Sequence, residues 1–316
     1  MIPTKQAHLH PAAITHPGMS GKNNEDQYAI SAYTLAEDNP TPVVLAIVAD
    51  GIGGHNAGEI ASEIAVNVIS EVIAASDGSE PLHTLVKSAE QASICIHEQS
   101  ETETSRQGMG STCVSALVIS EQLYITSVGD SRIYLLRGGK IQRLTTDHTW
   151  VQEAIDHGVL SQEEARDHPR RHIIHRYLGS SKPIEVDTRL RLDAGESDQE
   201  AEANQGTRLF PGDQVLLCCD GLTDLVTDEE ILSITQEIPD QEKALEKLVN
   251  LANERGGHDN ITIISLRVPK EEEIKEKEPE AKPLSKTALW FYIVCAVVIV
   301  TINILGYLIW KGWLGN

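Results

Sequence analysis

The 316-residue chain is poor in aromatic residues and in positive charge, and its cysteines follow no pattern. Aromatic residues make up 4%, and 26 Lys and Arg stand against 47 Asp and Glu, for a formal net charge of -21. An acidic chain lacks the basic surface that recognition of a phosphate backbone needs, which argues against nucleic acid as a partner. Five cysteines without regular spacing predict neither a disulfide framework nor a zinc knuckle. The first twenty residues contain no apolar run, which argues against a secretory signal peptide.

Residues 288–310 contrast with the rest of the chain because they contain no charged residue. As a helix they would be about 34 Å long, enough for a hydrocarbon core of about 30 Å. Trp and Tyr residues cluster towards both ends of the run, where their rings favour a membrane interface. A core helix rarely stays apolar on every face. The sequence therefore predicts one C-terminal transmembrane helix over 288–310, followed by a short tail at 311–316.

A charged linker is predicted at 269–287. Ten of the thirteen residues in 270–282 are charged, and Pro279 and Pro283 interrupt any long helix. We expect this segment to act as a spacer only. Residues 1–268 then form the globular part of the chain. Within it, residues 42–50 are a near-continuous apolar run, which is long enough for a buried strand and too short for a helix.

Further strands and helices alternate along the globular part. Three predicted strands, at 112–119, 122–128 and 132–136, are separated by breaks too short for a helix, so we expect an antiparallel meander. Two more strands are predicted at 214–219 and 260–268, and apolar spacing predicts helices at 58–73, 82–97 and 241–253. Residues 193–206 are acidic and lack apolar anchors, which predicts a surface loop. This order indicates an α+β domain in layers.

Acidic residues stand at the ends of several of these strands. Asp50, Asp220 and Asp259 each border an apolar strand and are followed by glycine or asparagine. Carboxylates at neighbouring strand ends repel each other unless a cation lies between them. Ligation by oxygen atoms alone selects Mg²⁺ or Mn²⁺ over zinc. A single Asp-Gly pair is more often an ordinary turn, but three such sites beside apolar strands favour a metal centre.

A set of motifs occurs in a characteristic order: NNED at 23–26, VADGIGGHNAGEIAS at 48–62, GMGST at 108–112, VGDSR at 128–132, LTTDH at 144–148, CCDGLTD at 218–224 and GGHDNIT at 256–262. Over about residues 14–268 the chain resembles the metal-dependent serine/threonine protein phosphatases of type 2C, in their bacterial form. The resemblance implies a β-sandwich of two antiparallel sheets flanked by helices. It also implies hydrolysis of phosphoserine and phosphothreonine by a metal-activated water, without a phosphoenzyme.

The resemblance further implies a centre of two Mg²⁺ or Mn²⁺ ions. Asp50 would bridge both ions, and the carbonyl oxygen of Gly51 would bind the first. Asp220 and Asp259 would bind the second. These three carboxylates would thus be the catalytic residues, acting through the activated water.

Other matched positions surround that centre. Glu25 and Asp26 would act mostly through bound waters, and Asp130 matches the position that holds a third, weaker ion in bacterial members. Residues 149–179 match the mobile flap beside the site. The flap is rich in histidine and arginine, which either contact substrate or form a solvated face.

The chain departs from the family pattern at two positions. The family usually has an arginine four residues before Glu25 that grips the substrate phosphate, and here Gly21 stands there. Lys22 is adjacent and could bind phosphate, although it offers no bidentate hydrogen bonds. We therefore expect Gly21→Arg to lower KM. Ile52 replaces a histidine proposed as general acid in the eukaryotic branch, which bacterial members commonly lack.

The function that the sequence predicts is phosphoprotein hydrolysis by a domain tethered to a membrane and facing the cytoplasm. Its partners would be phosphorylated proteins, opposed by a serine/threonine kinase, and the membrane through 288–310. The alternative is a catalytically weak, membrane-anchored module that binds phosphoproteins. Retention of the metal carboxylates favours the enzyme. A two-metal nuclease is disfavoured by the acidic charge.

Overall fold

The computed structural model describes residues 1–21, 23–53, 57–166, 168–270 and 273. The chain divides into two compact units, Met1–Pro269 and Lys270–Asn316. The predicted transmembrane helix at 288–310, the tail at 311–316 and most of the linker lie outside the described residues. Within the described ranges, no helix combines the length and the apolar character that crossing a membrane requires.

Two sheets, each with antiparallel pairing, form the centre of the first unit. The first sheet has the order β1 (Ile2–Pro3), β3 (Gln27–Thr34), β4 (Pro42–Ala49), β7 (Cys113–Ile119), β8 (Gln122–Val128) and β11 (Thr207–Arg208). The second has the order β10 (Lys140–Arg143), β9 (Arg132–Arg137), β12 (Gln214–Cys218), β13 (Ile261–Arg267) and β2 (His10–His16). A small ribbon joins β5 (Gly51–Ile52) to β6 (Gly110–Ser111).

Helices cover the outer faces of both sheets. The long helices α1 (Ala57–Ala75) and α2 (Pro81–Ser100) share one apolar core with the first sheet. The helices α6 (Asp220–Thr223), α7 (Asp228–Glu237) and α8 (Gln241–Glu254) share another core with the second sheet. Three shorter helices are α3 (Trp150–Asp156), α4 (Gln162–Arg166) and α5 (Asp198–Ala203). The predicted sandwich of two antiparallel sheets flanked by helices is confirmed.

Strand β4 lies between two cores, as its uninterrupted apolar sequence indicates. Val43, Leu45 and Ile47 pack with α1 and α2, whereas Val44 and Val48 pack in the layer between the sheets. Because successive side chains of a strand point to opposite faces, only a strand buried on both sides needs an apolar residue at every position. Residues 43–49 are all fully buried, so β4 is the central structural strand of the first sheet.

The predicted meander is wrong at its second connection. Strands β7 and β8 form a hairpin in the first sheet, but β9 pairs with β10 and β12 in the second. The turn from β8 to β9 therefore crosses from one sheet to the other. Gly129 has a φ of 105° there, a conformation that L side chains rarely adopt, and it permits the change of direction.

The predicted surface loop at 193–206 contains a helix that is attached to the domain. Helix α5 begins with a capping box formed by Ser197 and Glu200. Ala201 is fully buried, and its carbonyl oxygen accepts a hydrogen bond of 2.9 Å from the Leu190 amide. Arg189 and Arg191 both pair with Asp198. Helix α5 is thus attached by the buried Ala201 and by the ion pairs of Asp198 with two arginines, without any large apolar side chain.

We expect Ile47→Ala to lower the free energy of unfolding by about 2–5 kcal/mol, because it opens a cavity under α1 and α2. Ile47 is 0% exposed, whereas Ile94 on α2 is 58% exposed. The control Ile94→Ala should change the free energy of unfolding by no more than about 0.5 kcal/mol. Urea denaturation followed by circular dichroism measures both. Equal losses in the two variants would contradict this assignment of the core.

Candidate metal centre

Asp50 follows directly after β4 and is held there by its backbone. Its carbonyl oxygen accepts hydrogen bonds from the Thr112 amide at 2.8 Å and from the Ser111 hydroxyl at 3.0 Å. Its own amide donates to Thr112 Oγ1 at 3.1 Å. The end of β4 is thus tied to the start of β7, and the Asp50 side chain is fixed at the rim of the first sheet.

Glycines beside the acidic residues allow other backbone segments to approach closely. A Cβ atom at Gly51 would lie 2.2 Å from the carbonyl oxygen of Gly58, at the start of α1. A Cβ atom at Gly221 would lie 1.9 Å from the carbonyl oxygen of Asn260. Both distances are far below van der Waals contact. These Asp-Gly pairs therefore bring strand ends and a helix start together, which an ordinary turn does not require.

Asn260 connects the segment that carries Glu25 to the start of β13. Its side-chain oxygen accepts a hydrogen bond of 2.7 Å from the Glu25 amide, and its side-chain nitrogen donates to the carbonyl oxygens of Pro17 and Asn23 at 3.2 Å each. Its amide donates to Asp259 Oδ1 at 2.8 Å. One asparagine thus positions two of the predicted metal-site carboxylates.

Asp26 and Asp50 lie close together in the interior. One carboxylate oxygen of each lies within 4.8 Å of the other and of the Cys219 sulfur. Burial, together with the negative charges of Asp220 and Asp259, raises the pKa of Asp26 to about 7 against hydrogen bonds that lower it. Burial, and then the negative charges of Asp26, Asp220 and Asp259, raise the pKa of Asp50 well above its usual range. The carboxylates therefore repel one another in a medium that screens charge poorly.

Asp130 and Asp220 belong to the same group of charges. Burial, and then repulsion from Asp220, raises the pKa of Asp130 well above its usual range. Asp220 is the first residue of α6. Its carboxylate forms a second cluster with the carboxylate of Asp224 and the ring of His172, and one potential ligand atom of each residue lies within 4.8 Å of the others. Burial and the charge of Asp220 also raise the pKa of Asp224.

Two buried carboxylate oxygens in this group test whether cations fit. Asp26 Oδ1 and Asp220 Oδ1 have no hydrogen-bond partner among the residues that the structure describes. A buried carboxylate oxygen without a donor is costly, and a divalent cation removes both that cost and the mutual repulsion. Carboxylate oxygens are the ligands that Mg²⁺ and Mn²⁺ prefer. The donor set therefore fits hard divalent cations.

The flap predicted at 149–179 contains α3 and α4 and returns to the domain through a bridge between Thr149 and Ile174. Arg171 Nε lies 3.6 Å from Asp224 Oδ2. His172 Nδ1 lies 3.5 Å from Asp224 Oδ2 and 3.9 Å from Asp220 Oδ2. Arg170 instead stacks over the Trp150 ring at 5.0 Å. Two of the flap's cationic groups thus face the acidic cluster, and one is directed elsewhere.

A cavity of about 1010 Å³ opens beside the acidic cluster. Asp130, Asp220 and Asp224 line it on one side, and Arg171 and His172 of the flap line it on another.

Residues 19–261 match the family model described as Protein phosphatase 2C. The chain belongs to this family. It is 36% identical over 256 residues to the serine/threonine protein phosphatase PstP of Mycobacterium tuberculosis, a match that covers 81% of this chain and 44% of PstP. It is 34% identical over 260 residues to the serine/threonine phosphatase stp of Listeria monocytogenes, covering 81% of this chain and 94% of stp. The chain thus spans less than half of the mycobacterial relative and nearly all of the listerial one.

Solved structures agree with this membership. The M. tuberculosis phosphatase PstP/Ppp superposes with a TM-score of 0.70 at 33% identity, over 83% of this chain and 99% of that one. The catalytic domain of PstP in complex with two manganese ions gives a TM-score of 0.67 at 32% identity, over 83% and 99%. The predicted membership of the 2C-type serine/threonine phosphatase family is confirmed, and one solved relative holds two manganese ions.

The structure places most predicted site residues of this 2C-type phosphatase in one region. Charge interactions link Asp26, Asp50, Asp130, Asp220 and Asp259. The Glu25 carboxylate lies against Gly58, since a Cβ atom there would be 2.8 Å from Glu25 Oε2. Lys22 lies outside the described residues, as does His55. The individual roles of these residues as ligands stay predictions.

Gly21 requires a correction to the expectation for Gly21→Arg. Its φ is 72°, and among the described residues no atom outside its chain neighbours lies within 4 Å of the position that a Cβ atom would take. There is room for a side chain, but this left-handed backbone conformation is unfavourable for any L residue other than glycine. The substitution would therefore introduce backbone strain along with the guanidinium group, and a change in KM could not be assigned to phosphate binding alone.

Cys219 lies in the site, although no sequence pattern assigns it a role. Its sulfur is 3.2 Å from Asp26 Oδ2 and accepts a hydrogen bond of 3.1 Å from the Thr262 amide. Burial raises the pKa of the Cys219 thiol well above its usual range, so the thiol keeps its proton and donates it to Asp26. Cys219 thus contributes a hydrogen bond to Asp26 at the site. Cys218 packs in the core under α8, so the two adjacent cysteines face opposite sides, as a strand predicts.

We expect Gly51→Ala to disrupt the site, because its Cβ atom would overlap the carbonyl oxygen of Gly58. Gly195→Ala is a matched control, since no atom of the part of the chain that the structure describes, its chain neighbours apart, lies within 4 Å of its Cβ position. Calorimetric titration with Mn²⁺ should show at least about a tenfold loss of affinity for Gly51→Ala, the change that about 1.4 kcal/mol produces. The control should bind Mn²⁺ as the unchanged chain does. Unchanged binding by Gly51→Ala would contradict the close approach of α1 to Asp50.

Proposed function

We propose that this chain hydrolyses phosphoserine and phosphothreonine in proteins at a centre of two Mg²⁺ or Mn²⁺ ions. The observation that carries the proposal is the buried group of mutually repelling carboxylates, in which Asp26 Oδ1 and Asp220 Oδ1 have no donor among the described residues. A divalent cation offsets this repulsion and gives both oxygens a partner. The cavity beside the group would admit the phosphorylated side chain.

Each carboxylate has a proposed part in holding the ions. Asp50 would contact both, with the Gly51 carbonyl oxygen at the first and Asp220 and Asp259 at the second. Glu25 and Asp26 would act through waters. Bound ions would lower the pKa of a water molecule and offset the negative charge of the phosphate oxygens.

Asp130 would hold a third, weaker ion. Burial, and then repulsion from Asp220, raises the pKa of Asp130, so the charge of Asp220 acts on this carboxyl group. Its side chain is 6% exposed and lines the same cavity. These features support a cation at that position.

Substrate phosphate would meet the flap. The guanidinium of Arg171 can donate two parallel hydrogen bonds to phosphate oxygens, which the ammonium of Lys22 cannot. Arg171 already lies at the cavity beside Asp224. We therefore propose Arg171 as the phosphate contact and retain Lys22 as the alternative that the sequence suggested.

A second candidate function follows from Gly21. Without an arginine at that position, the chain could bind phosphoproteins at a membrane with weak catalysis. Hydrolysis of a chromogenic phosphate ester with and without Mn²⁺ distinguishes the two functions. Absence of turnover at any Mn²⁺ concentration would favour the binding module.

We expect EDTA to abolish phosphatase activity, and Mn²⁺ or Mg²⁺ to restore it. Loss of a residue that only hydrogen-bonds to a metal ligand lowers activity by roughly 10–100-fold. Asp220 is proposed to contact a metal ion itself, so Asp220→Asn should lower kcat by more than that. The exposed Asp38 provides the control, because Asp38→Asn makes the same chemical change away from the site. Circular dichroism should show that both variants fold. Full activity of Asp220→Asn would remove the proposed centre.

We further propose that residues 288–310 anchor the chain in a membrane, with the phosphatase domain in the cytoplasm, where a serine/threonine kinase would oppose it. The uncharged length of the segment and its Trp and Tyr residues support the anchor. The cysteine usage and the location of the products of serine/threonine kinases support the cytoplasmic side.

The full chain should sediment with membranes in cell fractionation. A charge at the middle of the segment costs about 2.5–3.5 kcal/mol on insertion scales, so Ile299→Arg should shift protein towards the soluble fraction. Ile299→Leu is the matched control and should leave the distribution unchanged. Protease added to intact cells should leave the phosphatase domain uncut. Recovery of the unchanged chain in the soluble fraction would contradict the anchor.

A further inference from the structure

The turn Gly129–Asp130–Ser131 crosses from the first sheet to the second, and one side of it packs against Thr112. The hydroxyl oxygens of Thr112 and Ser131 are 2.7 Å apart. A Cβ atom at Gly129 would lie 2.7 Å from the Thr112 Cβ atom. Thr112 Oγ1 also accepts a hydrogen bond from the Asp50 amide. The turn and Asp50 are therefore both held by Thr112.

His148 holds the other side of the turn through two hydrogen bonds. The Gly129 amide donates to His148 Nδ1 at 3.0 Å, and the His148 amide donates to the Gly129 carbonyl oxygen at 2.9 Å. Because Nδ1 accepts, the ring proton of neutral His148 must lie on Nε2. Nε2 is 3.1 Å from Asp187 Oδ2 and donates to it. The two side chains are only 5% and 4% exposed.

Asp187 is itself fixed to the strand that leads into the turn. Its amide and carbonyl exchange hydrogen bonds of 3.0 Å with Ser127 at the end of β8. Arg189 Nε lies 2.9 and 3.0 Å from its two carboxylate oxygens. Although burial acts to raise the pKa of Asp187, the hydrogen bonds from His148 and Arg189 lower it below its usual range. Asp187 is therefore a charged, rigid acceptor for the His148 ring.

The flap begins and ends at the same histidine. The His148 carbonyl oxygen accepts a hydrogen bond of 2.8 Å from the His175 amide. The next residue, Thr149, pairs with Ile174, and the Trp150 amide donates to the Ile173 carbonyl oxygen at 2.9 Å. One residue thus contacts the turn that carries Asp130 through its ring and the returning flap through its backbone.

We propose that His148, oriented by Asp187, is a positioning residue that fixes Asp130 for cation binding and sets the base of the flap relative to it. The proposal rests on the proposed role of Asp130 in holding a third ion. A buried pair that only stabilises the fold would affect cation binding no more than any other loss of stability does.

Two variants of His148 separate its two side-chain contacts. In His148→Asn the amide oxygen takes the place of Nδ1, so the Gly129 amide keeps an acceptor while Asp187 loses its donor. In His148→Gln the amide nitrogen takes the place of Nε2, so Asp187 keeps a donor while the Gly129 amide loses its acceptor. The variants are thus matched in chemistry and differ in which partner they retain.

The measurement is Mn²⁺ binding to the full chain by calorimetric titration without substrate. Asp130→Asn should remove the weakest class of Mn²⁺ binding. His148→Gln should weaken that class by about five- to tenfold, the effect of losing one hydrogen bond to a buried amide. His148→Asn should remain within about twofold of the unchanged chain, because the Gly129 contact survives. His148→Gln combined with Asp130→Asn should lose no more than Asp130→Asn alone.

Thermal unfolding in EDTA provides the control for a structural role. Equal loss of Mn²⁺ affinity in His148→Asn and His148→Gln, in proportion to lost stability, would overturn the proposal. Additive losses in the double variant would also overturn it. Loss of the weak class in Asp130→Asn but not in His148→Gln would overturn the positioning role alone. No change in Asp130→Asn would overturn the third ion and the positioning role together.

If His148→Gln fails to fold, Asp187→Asn takes its place, because an asparagine amide can donate to Nε2, which moves the ring proton to Nδ1 and deprives the Gly129 amide of its acceptor. We expect about two- to threefold weaker binding at the weak class in that variant. Unchanged affinity in Asp187→Asn would then overturn the proposal.

Discussion

Mutual repulsion among buried carboxylates is the constraint on which the rest of this structure depends. Asp26 and Asp50 are close enough, and buried enough, that each raises the free energy of ionising the other. Such a group persists if the surrounding backbone holds it against repulsion, or if protons or cations neutralise it. Cation binding should therefore contribute directly to the stability of the fold, since ions that bind only the folded chain stabilise it.

The two sheets each supply part of the charge. Asp50 follows a strand of the first sheet, and Asp220 follows a strand of the second. Asp130 lies in the turn that passes between them. The relative position of the sheets thus sets the distances within the centre. Val44 and Val48 of β4 contribute to the apolar layer between the sheets. This layer therefore stabilises the fold and also sets the spacing of the carboxylates.

The sequence predicted the elements whose signal is local. The apolar run of β4 and the spacing of α1, α2 and α8 are properties of short segments, and their positions agree with prediction within a few residues. A short break between two strands does not reveal whether they pair, so the passage of β9 into the second sheet was missed. Helix α5 was missed because its attachment depends on the arginines Arg189 and Arg191, which precede it in the chain.

The carboxylates of the site could be predicted, but their supports could not. An Asp-Gly pair after an apolar strand can be recognised from one short stretch of sequence. The family resemblance then assigns roles to these aspartates. Asn260 supports Glu25 across 235 residues, and Cys219 contacts Asp26 across 193. Contacts of that separation exist only after both sheets have formed. Substitutions at such supports can therefore change the site without removing any carboxylate, and local sequence patterns will not identify them.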